Sequence, residues 1–452
     1  MKRIQKYILI LVATAMTVLP EVSAAQTRQL TLEEAINLGL KHHTQILKAR
    51  NLQRLTGMDV AGSYAEFLPS VSAGAGAGQN SGRQFIETED RLVTQTTRGM
   101  SASVSAGMTL FNGFGRLHEL REATLTDNAQ QAAAKRTEEQ VMSIILQDYV
   151  QILYDKEILR IREENLSALQ DQLEQIREFV DLGLRSQTDL FQQQSAVADA
   201  GGLLIDARTT LSVDTAELLR KLSINPMEEY DVVSPDSAET AFGILPDSPD
   251  QYITRAMANR SDYREQELRV KAARQSLRAV QASLYPSLYL SYNYGSNAND
   301  VSERSFEAQF TRDNLYSSVG IRLSVPIFNQ LGTRRFIASR QVELRNQEID
   351  LEDLRQLILV DVKRAYLHYQ AAVQKLEAAN TRLRYASQAL EAATERYNLG
   401  VTNFVEFSTA NADYVEAAGN QAQARFALTL RRFNLEYATG TLEPEDFEDQ
   451  KK

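Results

Sequence analysis

The chain repeats itself once. Pro69-Ser70 returns as Pro286-Ser287, Phe111-Asn112 as Phe328-Asn329, Gly115 as Gly332, Tyr149 as Tyr366, Leu182-Gly183 as Leu399-Gly400 and Ala207-Arg208 as Ala424-Arg425, every pair at an offset of 217 residues. One offset kept without a gap through turns, strands and helices marks a duplicated half-protein. It is too long for a solenoid, whose repeats run to about 20–50 residues. The fold must therefore build the same unit twice. The spacing predicts a first repeat over 25–224, a joint over 225–249, a second repeat over 250–441 and a tail over 442–452.

The stretch before the first repeat reads as an export signal over residues 1–24. Lys2, Arg3 and Lys6 supply the positive start, Tyr7 to Leu19 the apolar run, and Val22-Ser23-Ala24 the small-residue cleavage pattern. An uncleaved anchor is the competing reading, but the apolar run is short for a bilayer. Every later apolar run is broken by charges, so membrane residence after export would require β-structure. The chain has no cysteine, which excludes disulfides and thiolate metal sites, and a net charge of -10, which argues against nucleic acid as partner.

Each half opens with a helix. Thr31 caps Leu32-Glu33-Glu34, and Ser248 with Asp250 does the same in the second half. The helical pattern runs to Phe67 and Leu284, where proline ends it. Period-two segments follow at about 70–80, 99–111, 287–297 and 316–328. Leu288, Leu290, Tyr292 and Tyr294 alternate with polar or small residues, as do Val319, Ile321 and Leu323. At about 10 residues each, these segments have the length of a tilted membrane strand. Polar loops are expected near Asn80 to Arg98 and Asn297 to Asn314. A soluble half-buried hairpin would show the same alternation, and the Gly-Ala run from Ala73 to Gly78 could equally be a linker.

Asn112 and Asn329 read as N-caps of long helices over about 116–182 and 333–399, neither of which contains proline or glycine. The second helix carries a heptad stripe: Ile358, Val362, Ala365, Tyr369, Ala372, Leu376, Ala379, Leu383, Ala386, Leu390, Ala393 and Tyr397. Such a stripe demands partner helices. The first copy is charged in that register at Asp148, Asp155 and Arg162, so it is solvated or repacked there. Gly183 and Gly400 stop the long helices, and Ser186 and Asn403 cap return helices over about 187–222 and 404–437.

Four strands cannot close a barrel, and open edges cannot remain in lipid. Two copies would pool eight strands and three would pool twelve; the strand count alone does not choose. No catalytic constellation accompanies this layout. His42 and His43 point to different helix faces, no His pair has zinc spacing, and Gly113-Phe114-Gly115 lacks the rest of a nucleotide fingerprint. We expect no enzyme activity, no cofactor and no metal.

These features resemble the TolC-like outer membrane efflux protein family, across essentially the whole mature length. The resemblance is carried by the duplication, the paired Phe67-Leu68-Pro69-Ser70 and Leu284-Tyr285-Pro286-Ser287, and Val325-Pro326-Ile327-Phe328-Asn329. The helix-end segments Glu178 to Leu184 and Arg396 to Thr402 also carry it; the second fits the family's Arg-Tyr-x-x-Gly turn and the first lacks the tyrosine. The resemblance implies a mainly α fold with transmembrane β. It implies a homotrimer whose 12-stranded β-barrel, in outer-membrane lipid, continues into an α-helical periplasmic barrel. It also implies docking to a periplasmic adaptor and a proton-driven or ABC-type inner-membrane pump. The duct itself would conduct passively in a Gram-negative outer membrane.

Carried over by position, Gly183, Leu184, Ser186, Gly400, Val401 and Asn403 are the adaptor-facing tip candidates. Asp189 and Tyr397 stand at the acid and tyrosine positions of the family's closing hydrogen bond, while the arginine position holds Thr402. Glu406 matches an acidic lumen position, and the next acid of that pattern is Thr409 here. Each has a plainer reading: Asp189 as a helix-dipole partner, Tyr397 as a packing residue, Glu406 as a solvated carboxylate. A coiled-coil envelope scaffold or adhesin explains the signal and heptads, but not a strand pair in each half with matched helix ends. A periplasmic adaptor would carry one helical hairpin and compact β-domains.

Overall fold

A computed structural model describes residues 28–86, 90–233 and 248–442. The expected signal segment, most of the joint and nearly all of the tail lie outside the described residues. Among those described, helix α1 (Leu32–His42) follows a short strand β1 (Arg28–Leu30), and helix α2 (Thr44–Ala65) leads to the first hairpin. Thr31 Oγ1 accepts from the Glu34 N–H at 3.2 Å. The second half opens the same way with α5 (Pro249–Asn259) and α6 (Ser261–Ala282), where Gln251 accepts from the Ser248 N–H at 3.0 Å.

The unbroken opening helix expected from the pattern is instead two helices with an elbow. One extended residue, His43 or Arg260, interrupts each copy, again 217 positions apart. Neither elbow contains proline or glycine, so tertiary contacts make the break. Arg260 is only 4% exposed. Its guanidinium donates to both Asp262 oxygens at 3.0 and 2.6 Å, reaches the Ala438 carbonyl at 3.4 Å and lies 3.5 Å from Asp361. Beside it Arg136 pairs with Glu139 at 2.8 Å, and Ser261 donates to Glu139 at 2.7 Å. A helical bend at Arg260 lets one buried charge meet all its partners.

Strands β2 (Ser70–Ile86) and β3 (Arg91–Asn112) are much longer than the ten residues expected, at 17 and 22. The polar stretch assigned to a loop zips into the same ladder, with the Ser81 and Thr96 hydroxyls 2.8 Å apart. In the second half, β5 (Ser287–Asn299) pairs with β6 (Tyr316–Ser324), which stops short of Pro326, where the ladder would lose a donor. A helical turn (Phe306–Ala308) and a π turn (Gln309–Asp313) fill the loop between them. The four strands form one antiparallel sheet in the order β2-β3-β5-β6. Its register aligns Ala73, Val104, Tyr294 and their neighbours on one apolar face. Serines and glycines line the other, where the Ser72 and Ser105 hydroxyls meet at 3.0 Å.

The long helices are α3 (Gly115–Asp181) and α7 (Gly332–Asn398), each of 67 residues, or about 100 Å at 1.5 Å per residue. Asn112 and Asn329 do not hold the N-cap positions expected of them; Phe114 and Leu331 do, with left-handed φ of 67° and 64°. The chain must reverse from strand to helix, and two successive left-handed residues, Gly113-Phe114 and Gln330-Leu331, take up that turn. Asn112 still accepts from the Arg116 N–H at 3.3 Å. Return helices α4 (Gln187–Lys221) and α8 (Phe404–Thr439) pack against α3 and α7 respectively.

The heptad stripe of α7 is buried or half-buried at every one of its twelve positions. The first copy repacks instead. Strand β4 (Tyr230–Val232) pairs in parallel with β1, an element the sequence pattern did not announce. Tyr149 lies beneath both strands, its hydroxyl 2.6 Å from the Val233 carbonyl and 3.0 Å from that of Leu30. Its repeat partner Tyr366 packs on Tyr252 instead. Around Tyr149 gather Ile36, Ile46, Ile145, Leu146, Leu218 and Leu222. The charged register positions are accommodated singly. Asp148 pairs with Lys221 at 2.6 Å, and Asp155, 5% exposed, accepts from Gln151 at 2.9 Å.

Candidate functional site

The end of the helices remote from the sheet carries the residues singled out in the sequence. Both long helices close in a left-handed glycine, Gly183 at φ +72° and Gly400 at φ +76°. Only glycine enters that region without strain. The Leu184 N–H then bonds back to the Phe179 carbonyl at 2.7 Å, and the Val401 N–H to that of Arg396 at 2.9 Å. These are the long-range bonds of a Schellman ending. Ser186 accepts from the Asp189 N–H at 3.2 Å and Asn403 from the Glu406 N–H at 3.0 Å, starting the return helices. The two turns lie at the same end of the molecule. Leu182, Leu184, Leu399 and Val401 all stand in solvent, Leu399 at 79% exposure. The tip candidates Gly183, Leu184, Ser186, Gly400, Val401 and Asn403 are thus exposed, alongside the exposed apolar side chains of Leu182 and Leu399.

One turn inside the tip the chain is apolar and closed. Tyr397, 1% exposed, stacks on Phe407 at 5.3 Å between ring centroids and meets Phe404 edge-on at 6.3 Å. Ile176 of α3 completes the cluster. The Tyr397 hydroxyl is buried without a hydrogen-bond partner. Asp189 makes no hydrogen bond to it, so the acid–tyrosine bond implied by the resemblance is not formed in this protomer. Burial pushes the Tyr397 phenol up, Arg185 opposes that and the charge of Asp189 adds to it. The residue that does hold Tyr397 is Arg185. Its guanidinium lies 4.1 Å from the ring centroid and donates to the Tyr397 carbonyl.

Glu406 is not a free carboxylate. Arg396 pairs with one of its oxygens and the Thr402 hydroxyl donates to the other. Thr402, standing where the resemblance implies arginine, therefore serves Glu406. Sequence reasoning missed Arg185 and Arg396. The duplication held a signal for the first: Arg185 is the residue 217 positions before Thr402.

Higher in the helices a second polar feature is buried. The Asp155 oxygen not bonded to Gln151 has no donor. Burial first, and then the Asp214 carboxyl beside it on α4, push the Asp155 carboxyl up to about 6. No group of histidines and carboxylates among the described residues is arranged to hold a metal ion. No helix among them is long and apolar enough to cross a membrane.

The outer membrane efflux protein family profile matches residues 35–222 and 252–441, the two halves of the duplication. The chain is 23% identical over 425 residues to outer membrane protein TolC of Vibrio cholerae serotype O1, covering 92% of each. It is 22% identical over 412 residues to outer membrane efflux protein BepC of Brucella suis biovar 1, covering 91% of this chain and 86% of that one. Among solved structures, the outer membrane protein VceC of Vibrio cholerae superposes with a TM-score of 0.77 at 16% identity, over 90% of this chain and 96% of that one. CusC superposes with a TM-score of 0.79 at 16% identity, over 92% and 93%. The match spans both repeats, the sheet and the helical tips, and the chain belongs to the outer membrane efflux protein family, whose members are channels of the Gram-negative outer membrane and not enzymes.

Proposed function

We propose that this chain is the outer-membrane exit duct of a tripartite efflux or type I secretion system, assembled as a homotrimer. One observation carries the reading: the same two sides of the protomer are left open in both layers. In the sheet, β2 and β6 are edges, and Val319, Ile321 and Leu323 of β6 are exposed. In the helical layer, α3 packs between α2 and α6, and α6 packs on α7. That leaves α2 at one side, with Leu52, Leu55 and Met58 exposed, and α7 at the other, with Phe336, Val342 and Ile349 exposed. An apolar edge on each side, one from each repeat, is a head-to-tail interface that closes into a ring. Three protomers of four strands give a 12-stranded barrel, within the known range of membrane barrels. Its apolar face would meet lipid and its serine- and glycine-lined face the lumen.

The helices then continue the barrel as a tube about 100 Å long. Their exposed leucine-tipped turns suit docking to a periplasmic adaptor, through which an inner-membrane pump delivers substrate. The aromatic cluster around Tyr397, together with Asp189, stands where such a tube would close. The duct needs no cofactor and does no chemistry; the pump supplies the energy. Purified full-length protein in a planar bilayer tests the reading. Stable ion-conducting pores from a detergent-resistant trimer are expected. A monodisperse monomer without conductance would favour an envelope scaffold and refute the duct.

A further inference from the structure

We infer that the outward end of the sheet carries a binding site for a phosphorylated glycolipid of the outer leaflet, an inference that rests on the barrel in the exit-duct reading. Past Gly99, the last residue of β3 opposite β5, strands β2 and β3 pair only with each other, from Gln79 with Arg98 to Ile86 with Arg91. This two-stranded ribbon lengthens the sheet by about 27 Å, at ~3.4 Å per residue. It does so at the end remote from the helices.

The apolar face changes character at one level on both strands. Val71, Ala73, Ala75 and Ala77 stand opposite Ala106, Val104, Ala102 and Met100. The next pairs on that face are Gln79 with Arg98, Ser81 with Thr96 and Arg83 with Thr94, all of them exposed. With a tilt near 40°, residues 70–78 rise about 23 Å, close to the ~25 Å apolar band of outer-membrane barrels. The arginines and hydroxyls therefore stand at the level of the lipid headgroups. Ring closure uses the backbone edge of β2 and leaves this face outward.

Charge and spacing select the ligand. Arg98 Nε donates to Gln79 at 3.0 Å, which holds the guanidinium across the ribbon. Arg83 pairs with no carboxylate among the described residues. Asp300, the acid beside Arg98, accepts its backbone N–H at 2.7 Å. In the neighbouring loop Arg304 and Arg312 share one acid, Asp313. The levels of Arg83 and Arg98 lie about 14 Å apart along the ribbon, with the Ser81 and Thr96 hydroxyls between them. A disaccharide with a phosphate at each end meets that spacing; a phospholipid with one phosphate does not. Arginine suits such phosphates because its donors form a planar fork.

The same face also has a place for an acyl chain. Just below the polar strip is a hollow of about 450 Å³, floored by Ala73, Ala75 and Ala102 and walled by Tyr294, Phe310 and Leu315. Small side chains between large ones leave an apolar slot directly under the sugar level, where a chain is removed from headgroup water.

Delipidated full-length trimer in detergent, titrated with fluorescent bisphosphorylated lipid A, tests the site. Arg83→Gln combined with Arg98→Gln should weaken binding at least tenfold, the scale of lost charge-assisted hydrogen bonds. Wild type should bind monophosphoryl lipid A about tenfold more weakly than the bisphosphate, and the double variant should not tell the two apart. Ala102→Leu fills the hollow without touching the charges and should weaken both forms alike. Unchanged affinity in the double variant overturns the site. Equal competition by phosphatidylglycerol overturns it too, since that marks a general attraction to anionic lipid. Unchanged affinity in Ala102→Leu overturns the hollow as the acyl seat. Planar-bilayer conductance separates this inference from the duct. The double variant should form wild-type pores; lost lipid preference in wild type with pores intact refutes the site alone, and lipid binding as expected without pores refutes the duct alone.

Discussion

Asp155→Asn should make the protein more stable near neutral pH and remove most of a stabilisation by mild acid. The carboxyl is 5% exposed, one oxygen has no donor, and the Asp214 carboxyl stands beside it. In the folded chain it titrates at about 6 rather than 3.8, because burial and the second carboxyl both disfavour the charged form. A carboxyl whose folded pKa is raised binds its proton in the folded state first. Stability therefore rises as pH falls through about 6 and levels off near the unfolded value. The full effect of a shift of about two pH units is roughly 3 kcal/mol per chain. The part gained between about pH 7 and about pH 5 is on the order of 1 kcal/mol. Asparagine supplies at all pH values the donor that the protonated acid supplies only below about 6. The assay is thermal unfolding in detergent, followed by circular dichroism at one scan rate, for wild type and Asp155→Asn at both pH values. The variant should melt higher at pH 7, and the difference should shrink at pH 5 by roughly 1–2 °C. Equal pH dependence in the two proteins, with no gain at pH 7, would refute the reasoning about this pair.

Other predictions concern the charges at the tip and the elbow. Glu406 is already paired with Arg396. Glu406→Gln should thus leave Arg396 without its carboxylate and move the reversal potential toward anion selectivity, while Arg396→Gln should move it toward cations; no shift in either would remove both residues from the proposed conduction path. Arg260→Ala removes a buried charge from half-buried Asp262, which keeps Arg136 at 3.4 Å, so the loss should stay below the roughly 3–5 kcal/mol of a fully broken buried pair. A variant melting as wild type would show that the elbow needs no charge.

The repeat, the long helices and their ends were legible because they depend on local rules. Helix length follows from an absence of proline and glycine, and Gly183 and Gly400 stop helices by backbone conformation alone. The α7 stripe was visible because a heptad pattern needs only a neighbour, whatever its identity. The elbows at His43 and Arg260 were not legible, since neither residue breaks a helix by itself; Arg260 does so by meeting Asp262, Asp361 and the Ala438 carbonyl from distant parts of the chain. Strand length was underestimated because Gly-Ser-Thr-rich stretches read as loops, and their backbone pairs regardless of side chain. The Asn112 cap was misplaced by two residues because a strand-to-helix reversal is decided by direction, which pattern does not encode.

At the candidate site the position of Tyr397 came from sequence, and its partner did not. Arg185 is 212 residues away along the chain, and only packing of one repeat on the other brings its guanidinium to a helix end. Sequence by itself determined what repeats locally: two copies of one unit, their periodicities and their stops. Tertiary structure decided which charges meet, which strands stand at the edges and which side chains cross between the copies. The reason is physical. Backbone preference acts over a few residues, whereas a hydrogen bond or an ion pair needs two groups within about 3 Å, and only the folded chain sets that distance.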